Sequence, residues 1–517
     1  MPHAGEVGFS TLASEEEYVV TSQTSEFRLG LGFWLGIVLF AGILVLPTSA
    51  EFTAPEKSML AVAVLMAVWW MSEALPLAVT SLLPLVLYPV LGIMKTGAVS
   101  PNYTHHLIFL FLGGFMIAIA LQEWQLHRRF ALLTIALLGS NPRRLILAFM
   151  ISTAVLSMWI SNTATTIMML PIALAVVHQV PAKGADEDPS KNVFATVLML
   201  GIAYSASIGG IATLIGTPPN VVFSGIYEKF FPDLPEISFV RWMVLALPLA
   251  VLLFLAVWGY LGYLVLRRQD LPEVKQKAYF DAQRAALGPL TAAQKSVLAV
   301  FLLTAFLWIF RADLKLGSMT VPGWPRLLGL DGRIQDSTIA VGMAILLFIL
   351  PARVEGQRKS LLAWKSLLDL PWDILLLFGG GFALADGIQK TGLAAFIGKH
   401  LVFLGHLPAF VMLFLLAISV ALLTEFTSNT AVATTVLPIL AALSIDLKMD
   451  PLVIMFPATV AASCAFMLPV STPPNAIVFG SRYISIRRMV RVGIVLIVAA
   501  SLIVSSYFYL VLKLFGF

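Results

Sequence analysis

The chain alternates apolar runs with short polar segments from residue 31 onward. Residues 31–46, 59–77, 78–93 and 107–122 are the first four runs and read as transmembrane helices, the first a little short for a hydrocarbon core about 30 Å thick but bounded by Arg28 and Pro47. Residues 123–144 carry His127, Arg128, Arg129, Arg143 and Arg144 around a short apolar stretch, the pattern of an amphipathic helix at the membrane surface. Residues 145–177 are too long for one span and are interrupted near the middle by Ser161-Asn162-Thr163. Two half-helices meeting at that tripeptide, a re-entrant hairpin, account for both features. Residues 193–229 are also too long and are broken at Ser207, Gly209, Gly210 and Gly216-Thr217-Pro218-Pro219-Asn220, which predicts one span with an unwound middle. Residues 239–266 complete the first half.

The second half repeats this order. Residues 297–310 and 338–350 are short spans, 374–388 corresponds to 107–122, 408–444 is a second hairpin, 452–483 a second broken span and 490–514 the last helix. Ser161-Asn162-Thr163-Ala164 recurs 267 positions later as Ser428-Asn429-Thr430-Ala431. The same offset sets Phe111-Leu112-Gly113-Gly114-Phe115 on Phe378-Gly379-Gly380-Gly381-Phe382, and Pro171 on Pro438. A second cluster follows each tripeptide, Gly216-Thr217-Pro218-Pro219-Asn220 in one half and Ser471-Thr472-Pro473-Pro474-Asn475 in the other. These elements predict an all-α polytopic membrane protein of about eleven transmembrane helices and two re-entrant hairpins. An odd number of spans per repeat, roughly five, turns the second copy upside down, the inverted repeat of secondary transporters in which substrate binds near the midplane.

Composition agrees with this plan. The 517 residues are 59% hydrophobic and only 12% charged, against about a quarter charged in soluble proteins. The formal net charge of +5 lies in loops between apolar runs and points to cytoplasmic loops rather than to nucleic acid. With the N-terminus inside, the basic loops at 128–144, 267–295, 353–365 and 482–491 all fall on the cytoplasmic side, and the C-terminus lies outside. Residues 1–28 are polar and acidic, lack the basic start and small-residue cleavage site of a signal peptide, and read as a disordered tail. Cys464 is the only cysteine, so no intramolecular disulfide framework is available. Asn102-Tyr103-Thr104 matches a glycosylation sequon on the predicted outer side.

The polar clusters carry the chemistry. Unwound backbone inside hydrocarbon survives only where protein, water or an ion satisfies its N–H and C=O groups. The two Thr-Pro-Pro-Asn turns remove donors, free upstream carbonyls and aim the first N–H groups of a new helix at the site. Ser, Asn and Thr oxygens suit a hard cation, and no cluster offers thiolate or imidazole to a softer metal. Residues 145–177, 200–227, 408–444 and 453–481 contain neither Lys nor Arg, so a buried dianion would need co-bound cations. Sodium fits better than a proton because Glu425 is the lone titratable carboxylate nearby; it reads either as a proton carrier or as a structural anion at a helix end. Glu73 and Asp386 read as boundary or packing charges, and His105 and His106 as interfacial residues. There is no His-Glu-x-x-His, no Gly-x-Ser-x-Gly and no paired catalytic carboxylate in the repeated clusters, which argues against an enzyme.

The paired Ser-Asn-Thr tripeptides, the Thr-Pro-Pro-Asn turns, Trp70-Met71-Ser72-Glu73-Ala74-Leu75-Pro76-Leu77 and residues 109–129 resemble the divalent-anion/sodium symporter family. The resemblance covers the chain from residue 31 onward. It implies a homodimer in the lipid bilayer, in a bacterial inner (cell) membrane, with a scaffold at 29–144 and 293–405, a linker at 267–292, and a mobile transport domain at 145–266 and 406–517 that carries substrate by an elevator-like movement. By position it implies one sodium site at Ser157, Ser161, Asn162 and Gly216, and another at Thr424, Thr427, Asn429 and Ser471. It places the substrate carboxylates against Asn162, Thr163, Thr217, Asn429, Thr430 and Thr472, with Pro218 and Pro473 lining the pocket. The expected activity is sodium-coupled uptake of C4-type dicarboxylates such as succinate, malate or fumarate, with no organic cofactor. A dicarboxylate exchanger without net sodium flow, and a sulfate or citrate carrier of the same fold, remain open.

Overall fold

The computed structural model describes residues 30–49, 52–138, 141–178, 189–266, 277–316, 319–354 and 357–515. The N-terminal tail, most of the loop around Lys183 and the first part of the linker lie outside them. Among the described residues six helices are long and apolar enough to cross a membrane, and seven shorter apolar helices accompany them. Apart from further short helices and connecting loops, the regular structure among the described residues is two small antiparallel ribbons, Leu314–Leu316 with Met319–Val321 and Pro351–Val354 with Gln357–Ser360. The molecule is thus an essentially all-α polytopic membrane protein; the ribbons sit in loops where the hydrophobic pattern predicts nothing regular.

Each long interrupted run divides into two helices. Residues 145–177 fall in Pro142–Ser157 and Asn162–Val177, which touch each other, and residues 408–444 fall in Ala409–Leu423 and Asn429–Asp446. The first broken span is Val193–Ile211 followed by Pro218–Phe230, and the second is Pro451–Ala462 followed by Pro473–Gly480. Side-chain caps mark where these helices start, because the first-turn N–H groups have no partner inside the helix. Asn141 accepts from the N–H of Arg143 (3.0 Å), Asn192 from Ala195 (2.9 Å) and Asp450 from Leu452 (2.7 Å). The surface helix predicted at 123–144 is Leu126–Leu138. The run at 78–93 is not one continuous helix. It is interrupted at Ser81-Leu82 between Leu77–Thr80 and Leu83–Val90, and the second piece carries Pro84 at its start.

The halves interlock crosswise. Pro218–Phe230 of the first half packs on Asn429–Asp446 of the second, and Pro473–Gly480 of the second packs on Asn162–Val177 of the first. The two broken spans run antiparallel: Thr196, near the start of the first, donates to the carbonyl of Tyr483 beyond the end of the second (2.7 Å), and Arg488 donates to Ser190 O (2.7 Å).

The repeated Phe-x-Gly-Gly-Phe motif explains itself by contact. A Cβ on Gly113 would lie 2.6 Å from the backbone of Ala340, and one on Gly380 would lie 2.6 Å from the carbonyl oxygen of Ser81. Both glycines mark places where their helices, His106–Glu123 and Trp372–Thr391, meet another backbone directly. Gly380→Ala is therefore expected to cost about 1–3 kcal/mol by overpacking, read as a lower thermal transition of the purified protein; an unchanged transition would refute the contact.

Asn102 does not behave as a glycosylation acceptor. It is 3% exposed, and its amide donates to Val99 O (3.0 Å) and to Asp386 Oδ2 (3.2 Å), while Lys229 bonds its Oδ1. Asp386 also pairs with Lys390 at 3.1 Å, which makes it the packing charge anticipated.

Candidate functional site

Each hairpin tip holds its asparagine with a hydroxyl five residues earlier. Ser157 Oγ donates to Asn162 Oδ1 at 2.6 Å, and Thr424 Oγ1 donates to Asn429 Oδ1 at 2.7 Å. Ser157 and Thr424 are fully buried, whereas Asn162 and Asn429 are half-buried and open on one side. Asn162 also meets the first unwound segment. A Cβ on Gly210 would lie 2.5 Å from Asn162 Oδ1 and 3.1 Å from Gly216 O, so only glycine leaves room for these oxygens to share one space. Ser157, Asn162 and Gly216 are thereby brought together. Ser161 caps its helix, with Oγ accepting from Ala164 N at 3.2 Å.

The two breaks are stitched by the same scheme at matching positions, 255 residues apart. Asn220 Nδ2 donates to the carbonyls ten and seven residues upstream, Gly210 (2.9 Å) and Thr213 (2.7 Å). Asn475 Nδ2 donates to Ala465 (3.2 Å), Leu468 (3.1 Å) and the hydroxyl of Ser471 (3.0 Å). An aromatic donor covers one more carbonyl in each: Trp242 on Ile211 (2.9 Å) and Tyr204 on Phe466 (2.6 Å). Backbone that a continuous helix would satisfy is thus satisfied by side chains, as a low-dielectric setting requires. In both asparagines the amide oxygen is left buried without a partner. Neither Asn220 nor Asn475 was expected as a ligand; the repeated motif contains them, but its chemistry was assigned to the residues before them.

Glu425 is the largest departure from symmetry. Its side chain is fully buried, and its two oxygens accept from Phe466 N (2.6 Å), Met467 N (2.8 Å) and Leu468 N (2.9 Å). This carboxylate holds three successive N–H groups of the second break. The corresponding position in the first half is Met158, whose backbone carbonyl accepts from Thr213 Oγ1. The geometry favours a structural anion over a proton carrier.

The remaining predicted residues sit at or beside the four helix starts. Thr163 and Thr430 are in the first turns after Asn162 and Asn429. Thr217 and Thr472 are the N-cap residues of Pro218–Phe230 and Pro473–Gly480, with Pro218 half-buried and Pro473 exposed. Thr472 Oγ1 accepts from Asn475 N at 3.3 Å, whereas Thr217 and Ser428 make no side-chain cap bond. Thr427 is buried and its hydroxyl reaches only Leu423 O at 3.4 Å, a weak bond; Ser471 Oγ donates to Leu468 O at 2.7 Å. Four helix N-termini, each followed by neutral oxygen and amide groups, favour an anion with accompanying hard cations. Two clefts of about 360 and 450 Å³ open elsewhere, between the surface helix and the first hairpin, beside His127, Leu156 and Met169 or Trp159. The second reaches Trp159 and Ile160 at the first tip, but neither cleft is lined by Ser157, Ser161, Asn162 or Thr163.

Comparison with known proteins gives the same picture. A family model described as the sodium:sulfate symporter transmembrane region matches residues 30–514. The sodium-dependent dicarboxylate transporter SdcS of Staphylococcus saprophyticus is 42% identical over 465 residues, covering 90% of this chain and 87% of that one. SdcS of Staphylococcus aureus is 40% identical over 485 residues, covering 93% and 91%. Among solved structures, Neisseria gonorrhoeae MtrF superposes with a TM-score of 0.56 at 13% identity, over 91% of this chain and 96% of that one. The Alcanivorax borkumensis YdaH transporter follows at 0.50 and 15%, over 81% and 88%. At such identity these two show a shared fold alone.

Proposed function

The chain belongs to the sodium:sulfate symporter family, and from that premise we propose that it couples sodium entry to the uptake of C4-type dicarboxylates such as succinate, malate and fumarate. It is a transporter and not an enzyme; sodium is its coupling ion and cargo. The reading rests on the doubled tip, in which Asn162 and Asn429 each present an amide beside a buried hydroxyl in segments free of Lys and Arg. A dianion bound there is neutralised by sodium rather than by a side chain, which makes coupling a condition of binding.

The first sodium is held by Ser157, Ser161, Asn162 and the carbonyl of Gly216, and the second by Thr424, Asn429 and the carbonyls of Thr427 and Ser471. The shared space around Gly210 supports the first set. Substrate carboxylates take donors from Asn162, Thr163, Thr217, Asn429, Thr430 and Thr472, between Pro218 and Pro473. Residues 145–266 and 406–517 form the transport domain and 29–144 with 293–405 the scaffold of a homodimer, in an arrangement of about eleven spans and two re-entrant hairpins. The N-terminus is cytoplasmic and the C-terminus outside. Hydrogen bonds that keep Arg488 with Ser190, and Arg129 with Leu287, on common sides agree with that topology.

In proteoliposomes an inward sodium gradient is expected to drive succinate accumulation, and sulfate and citrate to compete poorly. Uptake indifferent to sodium but accelerated by internal dicarboxylate would instead establish an exchanger. Strong competition by sulfate would move the substrate class.

A further inference from the structure

We infer that His105, His106 and Glu228 form a binding site for a borderline divalent transition-metal ion, with Zn²⁺ as the type case, and that the bound ion arrests transport. The His106 ring nitrogen Nε2 lies 2.9 Å from Glu228 Oε2 and 3.2 Å from Oε1, and His105 Nε2 lies 4.0 Å from Oε2. One ligand atom from each of the three residues falls within 4.8 Å of the others. Tetrahedral zinc holds nitrogen and oxygen ligands about 2.0–2.2 Å from the ion, hence about 3.3 Å from one another, so small side-chain rotations convert this cluster into three ligands with a fourth position for water. Two imidazoles and one carboxylate favour zinc, nickel or copper over magnesium or calcium, which prefer all-oxygen shells.

The cluster is not otherwise explained. His105 Nδ1 is buried with no hydrogen-bond partner, and its ring lies 4.5 Å from that of His106 and 4.9 Å from that of Phe382, measured between centroids. The side chains remain 17%, 27% and 39% exposed, so an ion can reach them. The nearest cation, Lys229, is turned away onto Asn102 Oδ1.

Position gives the site its consequence. His105 and His106 begin the helix His106–Glu123, while Glu228 lies in the last turn of Pro218–Phe230. Resting on the proposed function, the first belongs to the scaffold and the second to the moving domain, both at their outer ends. An ion ligated by both sides ties the moving domain to the scaffold.

Purified full-length protein titrated calorimetrically with Zn²⁺ is expected to bind one ion per chain at this cluster, with affinity at least about tenfold weaker in H106A and in E228Q. In proteoliposomes, external Zn²⁺ is expected to suppress sodium-driven succinate uptake by the wild type and to leave both variants active, with Mg²⁺ inert. Zinc affinity unchanged in both variants overturns the site, and zinc bound there with uptake undiminished overturns the arrest. Should E228Q fold poorly, H105Q in the same two assays decides. Failure of the transport reading itself is separate, since it appears as absent sodium-driven uptake without any zinc.

Discussion

Sodium-driven succinate uptake is expected to fall at least about 100-fold in Asn162→Ala and in Asn429→Ala, with the folded yield nearly unchanged. Each amide accepts from one buried hydroxyl, Ser157 at 2.6 Å and Thr424 at 2.7 Å, and is otherwise half-open. In the resting fold the change removes one hydrogen bond, costing at most about 1–3 kcal/mol where the buried Ser157 hydroxyl loses its partner and less where Thr424 keeps Ala462 O at 3.1 Å. Transport is expected to lose more, because in the proposed site the same amide would serve a cation through its oxygen and a carboxylate through its nitrogen. Contacts with charged groups are worth about 1.5–3 kcal/mol each, and two of them lost together amount to roughly 100-fold or more. Radiolabelled uptake, beside size-exclusion profiles of both variants, measures the separation of function from folding. Near-normal uptake in both would remove these residues from the site.

Glu425→Ala is expected to do the opposite, removing folded protein rather than function alone. Three backbone N–H groups of Phe466, Met467 and Leu468 depend on this one carboxylate. Left buried and unpaired they cost about 1–3 kcal/mol each, together about 3–9 kcal/mol, comparable with the whole stability of a typical domain at about 5–15 kcal/mol. Glu425→Gln keeps the size and one acceptor oxygen, so it is expected to fold in part, with a lowered thermal transition. A proton carrier would behave differently: Gln would fold normally and abolish only the coupled proton movement. Well-folded Glu425→Ala would dismiss the structural role outright.

Most of the architecture was legible in the chain because a bilayer leaves backbone few choices. The interrupted runs at 145–177, 193–229, 408–444 and 452–483 became helix pairs broken where small polar residues or Pro-Pro stand. The amphipathic pattern at 123–144 also found the helix Leu126–Leu138. Hydrophobic length failed at residues 78–93, where Ser81 and Leu82 interrupt the helix to let Gly380 and Tyr103 reach the Ser81 carbonyl, a contact nearly 300 positions away in one case. The ribbon pairs and the burial of Asn102 were invisible for the same reason: each depends on partners that local pattern does not name.

The sequence by itself determined the repeat, the four polar clusters and the absence of basic residues around them, because periodicity, proline and charge are local properties. Family likeness then implies two cation positions and a substrate position among those clusters. Only the tertiary structure decided how the breaks are held. Asn220 and Asn475 were written in the motif, yet their work on carbonyls ten and seven residues upstream follows from how the chain folds back after the break. Glu425 was ambiguous as a letter and became specific when three N–H groups 41 to 43 positions away converged on it. His105 and His106 read as interfacial residues in the sequence and Glu228 carries no signal there; two helices from different parts of the chain set the three side by side. Long-range convergence of this kind costs chain entropy and is recovered only when the packed core forms, so no stretch of sequence carries it alone.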